Sequence, residues 1–387
     1  MSSHSYFRDT WVEINLDAIE NNIMELKTRL PKGKKIYAVV KANGYGHGDV
    51  QVAKVALEAG AYGLAVSLLD EAISLRLAEI QAPILVMGRV RPEDAVLAAK
   101  YDITLAVFQK EWMEEMPHLE NPLNIHLKID TGMGRVGLRT EEEMDEIISL
   151  VKTKNVRLTG VFTHFATADE PDLDYYNEQN RRFSILLERL KFLYPKPFEV
   201  HTGNSAAALR FPEEMYDSVR YGISMYGLYP SDWVKQHPPF QLTPALSLQS
   251  KLIHVKKLPP GESISYGATY TTETEEWIGT VPIGYADGWI RKLQGSEVLV
   301  AGERAQVVGR ICMDQMMIRL QGPIPVGTQV TMIGQQQNQS ISMDEIAQYL
   351  DTINYEISCM ISNRVPRVYF RKGNVLEVVN GILPEKV

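Results

Sequence analysis

The sequence predicts an α/β protein, an N-terminal (β/α)₈ TIM barrel followed by a mostly β C-terminal domain. Three observations predict it. Short apolar, β-branched runs alternate with amphipathic stretches through the first part of the chain, and those runs are apolar on both faces. Beyond a proline-bearing stretch, strand-like runs follow one another almost without helices.

Taken in order, "WVEIN" is a leading strand, and the helix after it opens with Asp17 and Glu20 at capping-box spacing. Eight strand-like runs come next: 36–41, 63–67, 83–88, 103–108, 124–130, 157–164, 198–203 and 218–223. Between them lie "VQVAKVALEAG", "DEAISLRLAEI", "PEDAVLAAK", "TEEEMDEIISLVKT" and "LDYYNEQNRRFSILLERLKFL", with apolar residues three and four apart. Strands covered by helices on both faces form a parallel sheet, and eight such units fit a closed barrel. A doubly wound open sheet is the competing arrangement. The stretch "YPSDWVKQHPPFQLTPA" reads as a linker, which sets the domains at 1–240 and 241–387. In the second, the runs include "LSLQSKLIHVKKL", "EEWIGTVPIGY", "RAQVVGRICMDQMMIRL" and "YEISCMI", and only "SMDEIAQYL" reads as a helix, with Ser342 and Glu345 as its cap.

Composition narrows the function. A chain of 387 residues that is 45% hydrophobic can bury substantial cores. Its net charge of −8 and the lack of a basic stripe argue against nucleic acid. No apolar run is long enough to span a membrane, and the start lacks a signal peptide's basic flank and apolar core, so a cytoplasmic protein is expected. Cys312 and Cys359 are expected to be buried free thiols, no metal site is expected, and the partner is expected to be a small molecule.

In a barrel, chemistry gathers where strands end at the C-terminal mouth. The polar residues there are Lys41; Lys128, Asp130 and Arg135 of "TGMGR"; His164; His201, Asn204 and Ser205; and Arg220 with Gly222. Each alone has an ordinary structural explanation, and their convergence on one mouth favours a site. A lysine at an apolar strand end loses its proton more easily, because desolvation disfavours the ammonium form, and such an amine can form a Schiff base. The natural carbonyl partner is pyridoxal 5'-phosphate (PLP). Its phosphate would find backbone donors in "GNSAA" and "YGI" and hydroxyls on Ser205 and Tyr45.

The motifs "AVVKANGYGHG", "KIDTGMGRVG", "THFATADE", "HTGNSAA", "VRYGISMYGL", "ISYGATY", "IGYADG", "GRICMDQ" and "INYEISC" with "RVPR" resemble the successive signatures of bacterial alanine racemases, nearly end to end. The resemblance implies a PLP enzyme of the isomerase class that interconverts L- and D-alanine, working as a homodimer whose active sites are shared between subunits. D-Alanine would be supplied for peptidoglycan or catabolised. Lys41 would carry the cofactor and act as one base, and Tyr266 of the partner subunit would be the second, on the opposite face of Cα. Tyr45, Asn204, Ser205, Gly222, Ile223 and Tyr355 would surround the phosphate, Arg220 would face the pyridine nitrogen, and His164 would sit beside the cofactor. Arg135, Met313, Tyr285 and Tyr355 would bind substrate or narrow its entrance, and Lys128 is the position that can be carbamylated in the family. Gly44 stands where the family often has alanine. A broad-specificity amino-acid racemase of the same fold is the alternative reading.

Overall fold

The computed structural model describes residues 6–383. Backbone contacts divide them into two units: Ala18–Gly44 with Asp49–Pro244, and the chain up to Asp17 with Tyr45–Gly48 and the residues from Ala245 onward.

In chain order the first strands are β1 (Thr10–Asn15), β2 (Lys35–Val39), β3 (Gly63–Val66), β4 (Ile84–Val86), β5 (Thr104–Val107), β6 (Leu123–Lys128), β7 (Val156–Phe162), β8 (Glu199–His201) and β9 (Ser218–Tyr221). Strands β2 to β9 are the first unit's sheet, all parallel, and it closes where Lys35 to Ala38 pair with Ser218 to Tyr221. That closure excludes the open sheet. The apolar runs follow from it, since β3 and β4 are buried at every position between barrel interior and helices. Caps start the helices where the chain leaves a strand. Thr140 accepts the Glu143 N–H at 3.2 Å ahead of the helix Glu141–Val151, and Glu143 reaches back to the Thr140 N–H.

The second unit adds β10 (Leu246–Lys251), β11 (His254–Leu258), β12 (Ser263–Ile264), β13 (Tyr270–Thr271), β14 (Glu276–Val281), β15 (Glu297–Val300), β16 (Glu303–Val308), β17 (Met316–Leu320), β18 (Gln329–Gln336), β19 (Gln339–Ile341), β20 (Arg367–Arg371) and β21 (Asn374–Val379). All but β12 and β13 join one 11-stranded sheet with β1, while β12 and β13 form a separate hairpin.

Four details depart from the sequence reading. Cys312 is half-buried and Cys359 exposed, because an apolar run of sequence does not say which of its residues faces inward. β1 lies between β10 and β20, so the N-terminal segment clusters with the β-rich unit and the boundary falls at 244/245; alternation had signalled a strand, but not its partners. The expected limits 1 and 387 lie outside the described residues. Asp17 does not cap a helix: it sits inside Leu16–Arg29, and its Oδ2 accepts the Lys372 N–H at 2.6 Å. The run "YEISCMI" falls in a helix, Asn354–Met360, because a short apolar run carries no period that separates strand from helix. The cap at Ser342 forms as expected, its Oγ accepting the Glu345 N–H at 3.0 Å. No helix among the described residues is long and apolar enough to cross a membrane.

Candidate active site

Lys41 stands two residues past the end of β2. The Val40 N–H still bonds to Ala65 O at 2.9 Å, and then Ala42, Asn43 and Gly44 turn left-handed, at φ 53°, 53° and 59°. The Gly44 N–H closes this turn on Val40 O at 2.9 Å, while Asn43 Oδ1 accepts from the Asp49 N–H and Glu71 Oε1 from the Ala42 N–H. A left-handed turn costs about 1–2 kcal/mol per non-glycine residue, and such strain persists where surrounding contacts hold it, often at functional sites.

Arg220, at 3% exposure, stands at the centre of the barrel's polar residues. Nη1 donates to His201 Nδ1 at 2.9 Å and His201 O at 3.2 Å; Nη2 donates to Thr163 O at 2.7 Å and Thr202 O at 3.0 Å and lies 3.4 Å from His164 Nδ1. None of these bonds uses Nε–H. Burial, then the Arg135 charge, push Arg220 down to about 9, which leaves it a cation at neutral pH. Burial and then Arg220 also hold His164 neutral, well below the usual imidazole range.

Lys128, also 3% exposed, donates from Nζ to Ile129 O at 2.9 Å and lies over the Phe162 ring. Burial first, then Arg220, push its amine down to about 7, against the pull of Asp130. Asp130 organises the loop that carries Arg135, its Oδ1 accepting the Gly132 and Gly134 N–H groups at 3.1 and 3.0 Å. The loops after β8 and β9 clasp each other. Asn204 caps the short helix Ser205–Arg210, and Ser205 Oγ accepts the Gly222 N–H at 2.9 Å, one residue before the 3₁₀ turn Ile223–Tyr226.

In the β-rich unit, Tyr266 opens a 3₁₀ turn, Tyr266–Ala268, between β12 and β13 rather than lying within a strand. The Tyr285 N–H bonds to Cys312 O at 3.0 Å and the Ala286 N–H to Met313 O at 3.1 Å, which ties "GYADG" to "CMD". Gly284 is obligatory there, because a Cβ would lie 2.3 Å from Cys312 O. The rings of Tyr45 and Tyr355 are 6.3 Å apart, and burial pushes the Tyr45 phenol up.

Family models for the alanine racemase N-terminal and C-terminal domains match residues 14–230 and 245–369. The chain belongs to the alanine racemase family. It is 56% identical to the alanine racemase of Geobacillus stearothermophilus, covering 98% of both chains, and 50% identical to alanine racemase 1 of Bacillus subtilis, covering 99% and 98%. Among solved structures, the alanine racemase of Bacillus anthracis with bound L-Ala-P superposes with a TM-score of 0.96 at 50% identity, covering 97% of this chain and 99% of that one. A histidine racemase from Leuconostoc mesenteroides reaches a TM-score of 0.87 at 34% identity, covering 96% and 99%.

The racemase residues named from the sequence fall into two groups. Lys41, Lys128, Arg135, His164, Asn204, Ser205, Arg220, Gly222 and Ile223 belong to the barrel unit, while Tyr45, Tyr266, Tyr285, Met313 and Tyr355 belong to the β-rich unit. Two residues went unnoticed in the sequence. His126, in the middle of β6, meets His201 inside the barrel, and in "NIHLK" it is one of three polar residues alternating with apolar ones, with nothing to single it out. Asp287, side chain fully buried, accepts from Arg8 at 2.8 and 3.1 Å and from the Gly284 N–H, so it braces the Tyr285 loop. A carboxylate between the glycines of "GYADG" looks like an ordinary turn residue.

Proposed function

We propose that Lys41 and Tyr266 are opposed bases in the racemisation of alanine, with PLP held at Lys41 and each site completed by a second copy of the chain. The observation that carries the cofactor reading is the one donor Arg220 keeps back: its Nε–H, on a buried, donor-only guanidinium, suits an unprotonated pyridine nitrogen. When bound, PLP supplies the electron sink that acidifies the Cα–H bond.

The remaining work is done by side chains. Racemisation removes a proton on one face of Cα and returns one on the other, so each base is an acceptor in one direction and a donor in the reverse. Arg220, unable to accept, leaves the ring nitrogen without a proton, which limits charge build-up away from Cα and favours reprotonation there. Asn204, Ser205, Gly222 and Ile223, with the phenols of Tyr45 and Tyr355, are proposed around the phosphate. Lys128, its amine pushed down to about 7, can supply the free amine needed to add carbon dioxide, forming an N–C bond with loss of a proton; the resulting carbamate anion would pair with Arg135, which would hold the substrate carboxylate. Tyr266, Tyr285 and Met313 are 71%, 41% and 52% exposed, an apolar and phenolic set that a partner subunit's barrel would cover in a homodimer.

Borohydride treatment of PLP-loaded protein should fix the label on a Lys41 peptide; label on another lysine overturns the assignment. Alanine should exceed lysine and histidine widely in kcat/KM, since extra methylenes in a filled pocket cost about 1–3 kcal/mol. Comparable rates would favour broad specificity, the reading to which the likeness to a histidine racemase lends support.

A further inference from the structure

Arg220 is anchored from the interior of the barrel as well as from its mouth. His201 Nδ1 lies 2.9 Å from Arg220 Nη1, and His201 Nε2 lies 3.0 Å from His126 Nδ1. The His201 ring is stacked on Phe162 at 4.8 Å and 4°, and on Tyr37 at 5.7 Å. His126 fits only because β7 carries a glycine beside it: a Cβ on Gly160 would come within 2.6 Å of the His126 ring. The two rings are 0% and 3% exposed, and burial followed by the charge of Arg220 keeps both neutral.

Donor chemistry fixes the direction of this line. A guanidinium has no acceptor, so the contact requires a bare Nδ1 on His201. Its single proton is then on Nε2 and is donated to His126 Nδ1, which leaves the proton of His126 on its own Nε2. That nitrogen makes no hydrogen bond to the described residues, and His126 lines a cavity of about 600 Å³ together with Asn124, Thr159 and Glu199. The cavity includes Lys35, Thr104 and Glu199, where barrel strands begin, so it lies at the end opposite Lys41.

We propose that His201, oriented by His126, is a positioning residue for Arg220. It holds Nη1 from below while the carbonyls of Thr163 and Thr202 hold Nη2, so that the guanidinium plane, and with it Nε–H, keeps one orientation. The proposal rests on the reading of Arg220 as the donor to the ring nitrogen.

Two measurements test it separately from that reading. Long-range ¹H–¹⁵N spectra of histidine-labelled, cofactor-free protein should show the Nε2–H tautomer for both His126 and His201; an Nδ1–H form of either overturns the relay. In the loaded enzyme, His201→Phe keeps the ring stack but loses both nitrogens, and kcat should fall about 10- to 100-fold with KM within about twofold. His201→Asn, whose Oδ1 can accept in place of Nδ1, should recover part of that loss. His126→Ala opens the line onto the cavity, where added imidazole should raise kcat and cyclopentene, equal in size but without nitrogen, should not. Equal rates for the Phe and Asn variants, or equal effects of the two additives, overturn the positioning role. If instead Arg220→Met racemises normally while both tautomers are as expected, the ring-nitrogen reading falls and the relay stands.

Discussion

Arg220 is 3% exposed and faces acceptors on His201, Thr163, Thr202 and His164, whereas Tyr266 is 71% exposed on a short turn. The barrel interior sets the protonation of its polar groups by itself: His126 is pushed down to about 3 by burial and Arg220, Lys128 to about 7, and His164 well below its usual range. In the β-rich unit Tyr266 and Tyr285 stand exposed within one chain. The contrast teaches that the first half of the proposed site is preorganised by burial, whereas the second, exposed in one chain, would gain such surroundings from the proposed partner subunit. Breaking each half should therefore have different consequences for stability and for activity.

The sharpest break is in activity. Lys41→Ala and Tyr266→Phe homodimers should each lose about 10³-fold or more in kcat, followed by optical rotation of L-alanine. Mixing the two variants under subunit exchange should restore activity, because a shared site gives one doubly damaged and one intact centre; confirmed heterodimers that stay inactive reject sharing. Stability should separate the halves in the other direction. Arg220→Met leaves several buried acceptors without donors and should cost about 3–5 kcal/mol in urea unfolding, while Tyr266→Phe, on an exposed turn, should stay within about 0.5 kcal/mol. Similar losses for both would erase the comparison.

Lys128 offers a pH test of the buried half. Its folded value of about 7 lies below the ordinary lysine value, so between the two the unfolded chain holds more protons and stability rises with pH. In bicarbonate-free buffer the unfolding free energy should climb by roughly 2–4 kcal/mol between pH 7 and 10, and Lys128→Met should flatten that component. A parallel slope in the variant would mean that Lys128 is not held neutral. The smallest effect belongs to the cap of the helix Met343–Leu350: Ser342→Ala should cost about 1 kcal/mol and leave kcat unchanged. A change in kcat there would show that the β-rich unit couples to chemistry more widely than its exposed residues suggest.

Much of the architecture was legible from local pattern. Alternating apolar runs and amphipathic stretches marked the barrel's strands and helices, and Lys41, Arg220, Ser205 and Gly222 stood at strand ends where a mouth would gather them. Periodicity failed where it carries no information about partners. β1 looked like a free leading strand, yet it pairs with β10 and β20 from the far end of the chain, because strand pairing is a contact between residues hundreds of positions apart. The helix Asn354–Met360 is too short for its period to show. The residue types at the site, lysines, donor-only arginines and tyrosines, were legible in the sequence alone, and so was the family they signal. Their protonation and orientation were decided by tertiary structure. A histidine's proton goes wherever its neighbours can accept or donate, and for His126 and His201 those neighbours arrive from strands 75 and 19 residues away.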